Sequence, residues 1–306
     1  MIGNLRTPNV FGMNRTAPPA WRPGIIRAAG AAVATFETGS DAIDARTVLL
    51  LHGLGYWTDA AWGRLVGHLD PALRYVGIDL PGFGTSEKPD VAYDLRFFRS
   101  VLDEVVDARV LQRFALLGHS LGGFLAADYA GRHPEHVDHL ALIAPAAFAR
   151  TPRFVLYGLA SGFARRLFTR RPSRRFVTRT LERSVVDPRT LDPGVVARAY
   201  DLSQEPGVRN AFAGVYAGAL DAFANLHALH ADFARYTGPV LCAWGRRDRY
   251  IPVTGLRAVT RVYPHAQTVV LEDSAHQPMI EQPHVLGPTL REFFAGEHHA
   301  AQSHPR

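Results

Sequence analysis

Three short stretches of this sequence carry residue types that do chemistry together. In "GHSLG", Gly118 to Gly122, a serine stands between two glycines, after a strand-like run and before a helix-like one. A serine on so tight a turn is forced into a strained backbone, and only glycine-sized neighbours let strand and helix pack that closely. The arrangement projects Ser120 Oγ at the N-terminus of the following helix. There the Leu121 N–H and the helix dipole favour a developing negative oxygen.

A serine hydroxyl is a weak nucleophile at neutral pH, so it needs a base, and the base needs an acid to orient it. The chain has fourteen histidines, so position must decide between them. "LEDSAHQPMIEQP" puts His276 in the loop after the last apolar strand, on the edge where Ser120 emerges. "CAWGRRDRYIPV" offers Asp248 just beyond the preceding strand, with a surface ion pair to a neighbouring arginine as its bland alternative. Asp273, three residues before His276, competes as the acid but is placed poorly to reach the far ring nitrogen. A second oxyanion donor is expected at Leu54, where "LLLHGLG" ends a strand. His52, Gly53 and His119 are expected beside these groups, at the substrate pocket.

Something must hold these loops at one edge. Apolar strand-like runs occur at Ala31–Gly39, Thr47–Gly53, Arg74–Leu80, Phe114–Gly118, Val137–Pro145, Pro239–Gly245 and Gln267–Asp273. Between them lie helical patterns at Asp59–Leu69, Leu95–Arg109, Leu121–Arg132 and Val285–Phe294. This alternation predicts an α/β fold with a mostly parallel sheet covered by helices on both faces. Ligand sites of such sheets gather at the carboxyl ends of the strands.

The rhythm breaks over 148–236, which holds amphipathic pieces punctuated by prolines and no strand pattern. It reads as an all-helical insertion dividing the core into 31–147 and 237–297, with an N-terminal arm at 1–30 and a polar tail at 298–306. Phe154, Tyr157, Phe212 and Tyr216 of the insertion are candidates to line an apolar pocket, although such stripes also serve simple packing. Its other face is dense in arginine, including Arg165, Arg166, Arg170, Arg171, Arg174, Arg175, Arg179 and Arg183. A solvated basic face accounts for it, with an acidic substrate or a membrane surface as the alternatives.

At 306 residues the chain can bury a sizeable core, and its formal charge of +6 raises the question of nucleic acid. Lys88 is the only lysine and no nucleic-acid motif is present, so the partner expected is a small-molecule substrate and no nucleic acid. The single cysteine, Cys242, excludes an internal disulfide and a multi-cysteine zinc site. No metal or cofactor is implied: "DLPGFG" lacks the lysine and spacing of a phosphate loop. With no secretory apolar stretch and no run of roughly 18 apolar residues, no integral membrane segment is expected and a cytoplasmic location follows.

In order along the chain, "HGLG", "IDLPGFGTSEKP", "GHSLGG", "GRRDRYIP" and "SAHQPMIEQP" resemble the α/β-hydrolase superfamily, in particular its cap-bearing esterases and carbon–carbon hydrolases. The resemblance covers roughly 33–294. It implies an eight-stranded sheet, a helical cap, and Ser120, Asp248 and His276 as nucleophile, acid and base. Serine where related dehalogenases carry aspartate disfavours alkyl-enzyme chemistry. Ala275 and Gln277 depart from the pattern of the carbon–carbon hydrolases. Three readings follow: a serine esterase on a small, mainly apolar acyl substrate, a carbon–carbon hydrolase of a vinylogous diketone, and a binding module that kept the fold.

Overall fold

Runs such as "TVLLL" and "FALLGH" are apolar at successive positions, so as strands they must be covered on both faces. The computed structural model, which describes residues 3–5, 20–109, 111–149 and 170–296, builds them into the middle of one nine-stranded sheet. In chain order the strands are β1 (Gly3–Leu5), β2 (Arg22–Ala28), β3 (Ala31–Gly39), β4 (Thr47–Leu51), β5 (Arg74–Ile78), β6 (Phe114–His119), β7 (Val137–Ile143), β8 (Val240–Gly245) and β9 (Gln267–Leu271). Across the sheet the order is β1-β9-β8-β7-β6-β4-β5-β3-β2. All pairings are parallel except β2 with β3 and β3 with β5. Strands β2 to β9 form the expected eight-stranded, mostly parallel sheet, and the three-residue β1 adds a ninth beside β9.

Alternate side chains of each strand feed two cores. On one face Leu50, Leu117 and Ile143 pack with Trp62 and Leu65 of α1 (Thr58–Val66) and with Leu290 and Phe294 of α10 (Pro283–Ala295). On the other, Leu49, Leu116 and Leu142 meet Phe98 and Val105 of α2 (Leu95–Ala108) and Phe124 and Leu125 of α3 (Leu121–Arg132). Each such side chain taken from water stabilises the fold by about 1.5–3 kcal/mol. The chain runs from β4 outward to β5, then crosses back to β6 on the other side of β4. The loops leaving β4 and β6 therefore diverge, which opens a crevice at their carboxyl ends.

The lead-in is not an arm throughout. Residues 22–28 form β2, joined to β3 by a two-residue turn in which Ala29 (φ 50°) and Gly30 (φ 78°) both have positive φ. That geometry matches the twist of a hairpin. Because β2 is a largely exposed edge strand, its sequence has no apolar run to announce it.

Between β7 and β8 the described residues are helical, as expected for the insertion: α4 (Arg174–Arg183), α5 (Pro193–Ser203), α6 (Pro206–Ala224) and α7 (Leu226–Phe233), with a short 3-10 turn at Pro188–Thr190. The amphipathic stretch 207–229 is divided between α6 and α7. Asn225 leaves the helical conformation (φ −121°, ψ 56°), and its side chain caps the Ala228 N–H of the next helix. The short α8 (Leu256–Val262) and α9 (Pro278–Glu281) complete the set.

Candidate active site

Ser120 is where β6 turns into α3, and its backbone is strained as the motif requires, with φ 52° and ψ −112°. The turn is held from three directions. The Ser120 N–H donates to Ile143 O at 3.0 Å, and its carbonyl accepts from Phe124 N–H at 3.0 Å and Ala146 N–H at 2.9 Å. A β-carbon on Gly118 would stand 2.3 Å from Gly122 O, and one on Gly122 would stand 2.1 Å from Leu51 O. Neither position tolerates any residue but glycine without moving backbone.

The loops after β8 and β9 bring two distant residues to this turn. His276 Nδ1–H donates to Asp248 Oδ2 at 2.7 Å, which leaves Nε2 to accept from Ser120 Oγ–H at 3.1 Å. Asp248 Oδ1 accepts the N–H groups of Tyr250 and Ile251 at 2.8 and 2.9 Å. The Asp248 side chain is fully buried. It makes no ion pair with the arginines around it: Arg246 pairs with Glu272, and Arg247 with Asp273. Asp273, the competing acid, is thereby a surface residue.

After β4 the chain curves through Gly53, Leu54 and Gly55, the last at φ 78°. His52 and Asp79 fix this curve from below. His52 Nδ1–H donates to Gly53 O at 2.8 Å, and its Nε2 accepts the Leu80 N–H at 2.9 Å. Asp79 Oδ1 accepts Thr58 N–H at 2.8 Å and Oδ2 accepts Thr85 N–H at 2.8 Å. Among the described residues the Leu54 N–H donates no backbone hydrogen bond. The Leu121 N–H opens α3, where first-turn N–H groups lack an intrahelical acceptor. Phe212 of α6 lies over Gly55 and packs edge-on against Phe83 at 5.4 Å. Tyr216, one turn further on, has its phenol pKa raised by burial and then by the neighbouring Tyr250.

Two pocket expectations need correction. His52 is fully buried with both ring nitrogens bonded to backbone, so it shapes the loop and does not line a pocket. His119, 1% exposed, points into the protein, and its Nε2–H donates to the carbonyl of His276 at 2.8 Å. Burial first, and the adjacent His276 second, push its pKa well below the ordinary imidazole value, so it stays neutral. Gly53 is buried against the His119 ring. Phe154 and Tyr157 lie outside the described residues.

Several neighbours of the site were not singled out from the sequence. Glu281 of α9 accepts from Val186 N–H, Ala275 N–H and Ser274 Oγ–H, tying the His276 loop to the helical insertion. Ser184 O accepts the His276 N–H at 2.9 Å. Tyr250 lays its ring 5.5 Å from that of His276. Of these, Glu281 stands inside "SAHQPMIEQP", and a carboxylate five residues beyond His276 is the one signal available.

A family model described as alpha/beta hydrolase fold matches residues 46–283. The chain is 30% identical over 243 residues to a pimeloyl-[acyl-carrier protein] methyl ester esterase of Aeromonas hydrophila, covering 77% of this chain and 90% of that protein. It is 37% identical over 110 residues to a 1-acylglycerol-3-phosphate O-acyltransferase of Arabidopsis thaliana, where the match covers 34% of this chain and about a quarter (26%) of that protein. Among solved structures, a bacterial membrane phospholipase A superposes with a TM-score of 0.70 at 27% identity, over 90% of this chain and 86% of that one. Among the described residues no helix is long and apolar enough to cross a membrane.

Proposed function

The chain belongs to the α/β-hydrolase fold family, and on that premise we propose that it is a serine hydrolase cleaving a small, mainly apolar ester through Ser120, His276 and Asp248. The observation that carries this reading is the unbroken chain of hydrogen bonds from Ser120 Oγ to His276 Nε2 and from His276 Nδ1 to Asp248. A relative at 30% identity that is a methyl ester esterase supports the ester as the bond attacked.

In this mechanism Ser120 Oγ attacks the ester carbonyl carbon while its proton passes to His276 Nε2. Asp248 holds the ring in the Nδ1–H tautomer and stabilises the imidazolium. The tetrahedral oxygen takes its hydrogen bonds from the N–H groups of Leu54 and Leu121, a pair whose members each contribute about 10²–10³ in rate. Collapse expels the alcohol, which leaves with the proton from Nε2. Water then adds to the acyl-enzyme with His276 again as base, and the acid product leaves Ser120. The helical insertion, 148–236, acts as a cap, with Phe212 and Tyr216 offering apolar surface to the acyl or alcohol group.

Short and medium p-nitrophenyl esters assayed beside a ring-cleavage dienoate test the reading. Ester turnover that vanishes in Ser120→Ala is the expected result. Dienoate turnover without ester turnover would replace it with carbon–carbon bond hydrolysis, and turnover of neither would leave a binding module.

A further inference from the structure

Beside the candidate triad, α4 and the loop after β8 enclose a cleft of about 360 Å³. Arg179, Arg183 and Arg249 line it together with the apolar residues Val185, Val186 and Pro188. The one acidic residue at its wall is Glu182. Arg175, Arg179 and Arg183 recur every four residues, so they form one stripe along α4, where like charges repel.

Several arginines of the protein are held by carboxylates. Arg46 is paired with Asp138, Arg99 with Asp128, Arg132 with Asp103 and Arg246 with Glu272. Among the described residues no carboxylate pairs with Arg179, Arg183 or Arg249. Residues 150–169, the remainder of the insertion, contain no acidic residue at all, so that segment supplies no counter-charge.

Residues lining the cleft adjoin residues of the site along the chain. Arg249 follows Asp248 in the chain. Arg183 precedes Ser184, whose carbonyl holds the His276 N–H, and Val185 and Val186 come directly after it. Tyr250 spans the two: its ring is 5.5 Å from His276, and its hydroxyl donates at 2.6 Å to the carbonyl of Thr180, between the cleft arginines on α4. Guanidinium groups with free forks match phosphate oxygens in charge and shape. Three of them less one carboxylate leave two positive charges, which a phosphomonoester dianion neutralises.

We propose that this cleft is the subsite for a phosphate group carried by the substrate, one tyrosine away from the ester that is cleaved. The inference rests on the hydrolase reading and extends the substrate of that same site: an ester whose reacting part is apolar and which also carries a phosphate. The phosphate anchors the substrate and takes no part in bond breaking.

The test compares p-nitrophenyl hexanoate with the same ester carrying a terminal phosphate on the acyl chain. At low salt the wild-type protein is expected to show kcat/KM about tenfold or more higher for the phosphate-bearing ester, the scale of one charge-assisted contact. The difference should reside in KM and shrink with added salt. In Arg179→Gln/Arg183→Gln the ratio between the two esters should approach one, and in Glu182→Gln it should rise. Each ratio is taken within one protein, so a partly unfolded variant does not mimic the effect. A ratio near one in the wild type, or one that survives in the double variant, overturns the proposal. So does inorganic phosphate that binds Ser120→Ala in calorimetry while the wild type shows no preference between the esters, since the ligand is then free phosphate. If neither ester turns over, the hydrolase reading fails instead. The cleft is then judged by that same calorimetry, and binding lost in the double variant keeps the phosphate site.

Discussion

Asp248 gives each of its oxygens a separate partner: Oδ2 meets His276 Nδ1 at 2.7 Å, while Oδ1 is held by the backbone N–H groups of Tyr250 and Ile251. The second set of bonds fixes how an amide would sit in its place. In Asp248→Asn the carbonyl oxygen must stay on the two N–H donors, so the NH₂ faces Nδ1. The imidazole is then driven to carry its proton on Nε2, where it can no longer accept from Ser120. We expect kcat to fall by about 10⁴ with the thermal midpoint little changed. Steady-state kinetics beside thermal melts check this, and a kcat within tenfold of wild type would remove Asp248 from the mechanism.

The positive φ of Ser120 makes a prediction about stability as well as chemistry. Glycine adopts φ 52° freely, whereas alanine keeps the strain, which typically costs about 1–3 kcal/mol. Glycine's greater freedom in the unfolded chain offsets up to about 1 kcal/mol of the relief. Ser120→Gly is therefore expected to be more stable than Ser120→Ala by about 1 kcal/mol, with both inactive. Urea unfolding midpoints measure the difference, and equal midpoints would mean that the turn relaxes.

Two buried neutral histidines set a pH dependence. Burial lowers the pKa of His52 and pushes that of His119 well below the ordinary value. In the unfolded chain each takes up a proton near pH 6.5. Below that pH, and above the lowered folded values, the unfolded state holds more protons, so stability is complete above about 6.5 and falls as pH drops. Each imidazole contributes a slope of up to about 1.4 kcal/mol per pH unit. Denaturant unfolding from pH 7.5 to 5.5 should show the loss, and His119→Gln should flatten the slope by about one proton.

Glu281 is a positioning residue that acts through the loop carrying His276. Its carboxylate gathers Val186, Ser274 and Ala275 around the His276 loop, and burial raises its pKa. Glu281→Ala leaves buried donors unpaired, which costs about 1–3 kcal/mol for each. The loss should appear in kcat more than in KM, because the imidazole and not the pocket is displaced. Glu281→Gln, which keeps one acceptor oxygen, should recover part of it; loss of stability with kcat intact would make Glu281 structural only.

The central sheet was legible because β4, β6 and β8 are apolar on both faces, a pattern with few other uses. The candidate site was legible because its residues lie in short motifs at strand ends. β2 was hidden because an exposed edge strand needs no apolar face and its Ala29-Gly30 turn is not a usual hairpin pair. The break at Asn225 was hidden because the apolar spacing continues through it. The places of His52 and His119 depend on what lies across the fold. An imidazole beside a nucleophile reads as chemistry until its hydrogen bonds to Gly53, Leu80 and His276 are seen.

The most direct measurement is covalent labelling by an activated fluorophosphonate, with the adduct located by mass spectrometry. One adduct is predicted, on Ser120, absent in Ser120→Ala and strongly slowed in His276→Ala. A folded wild-type protein that takes no label, or takes it on another residue, would contradict the account.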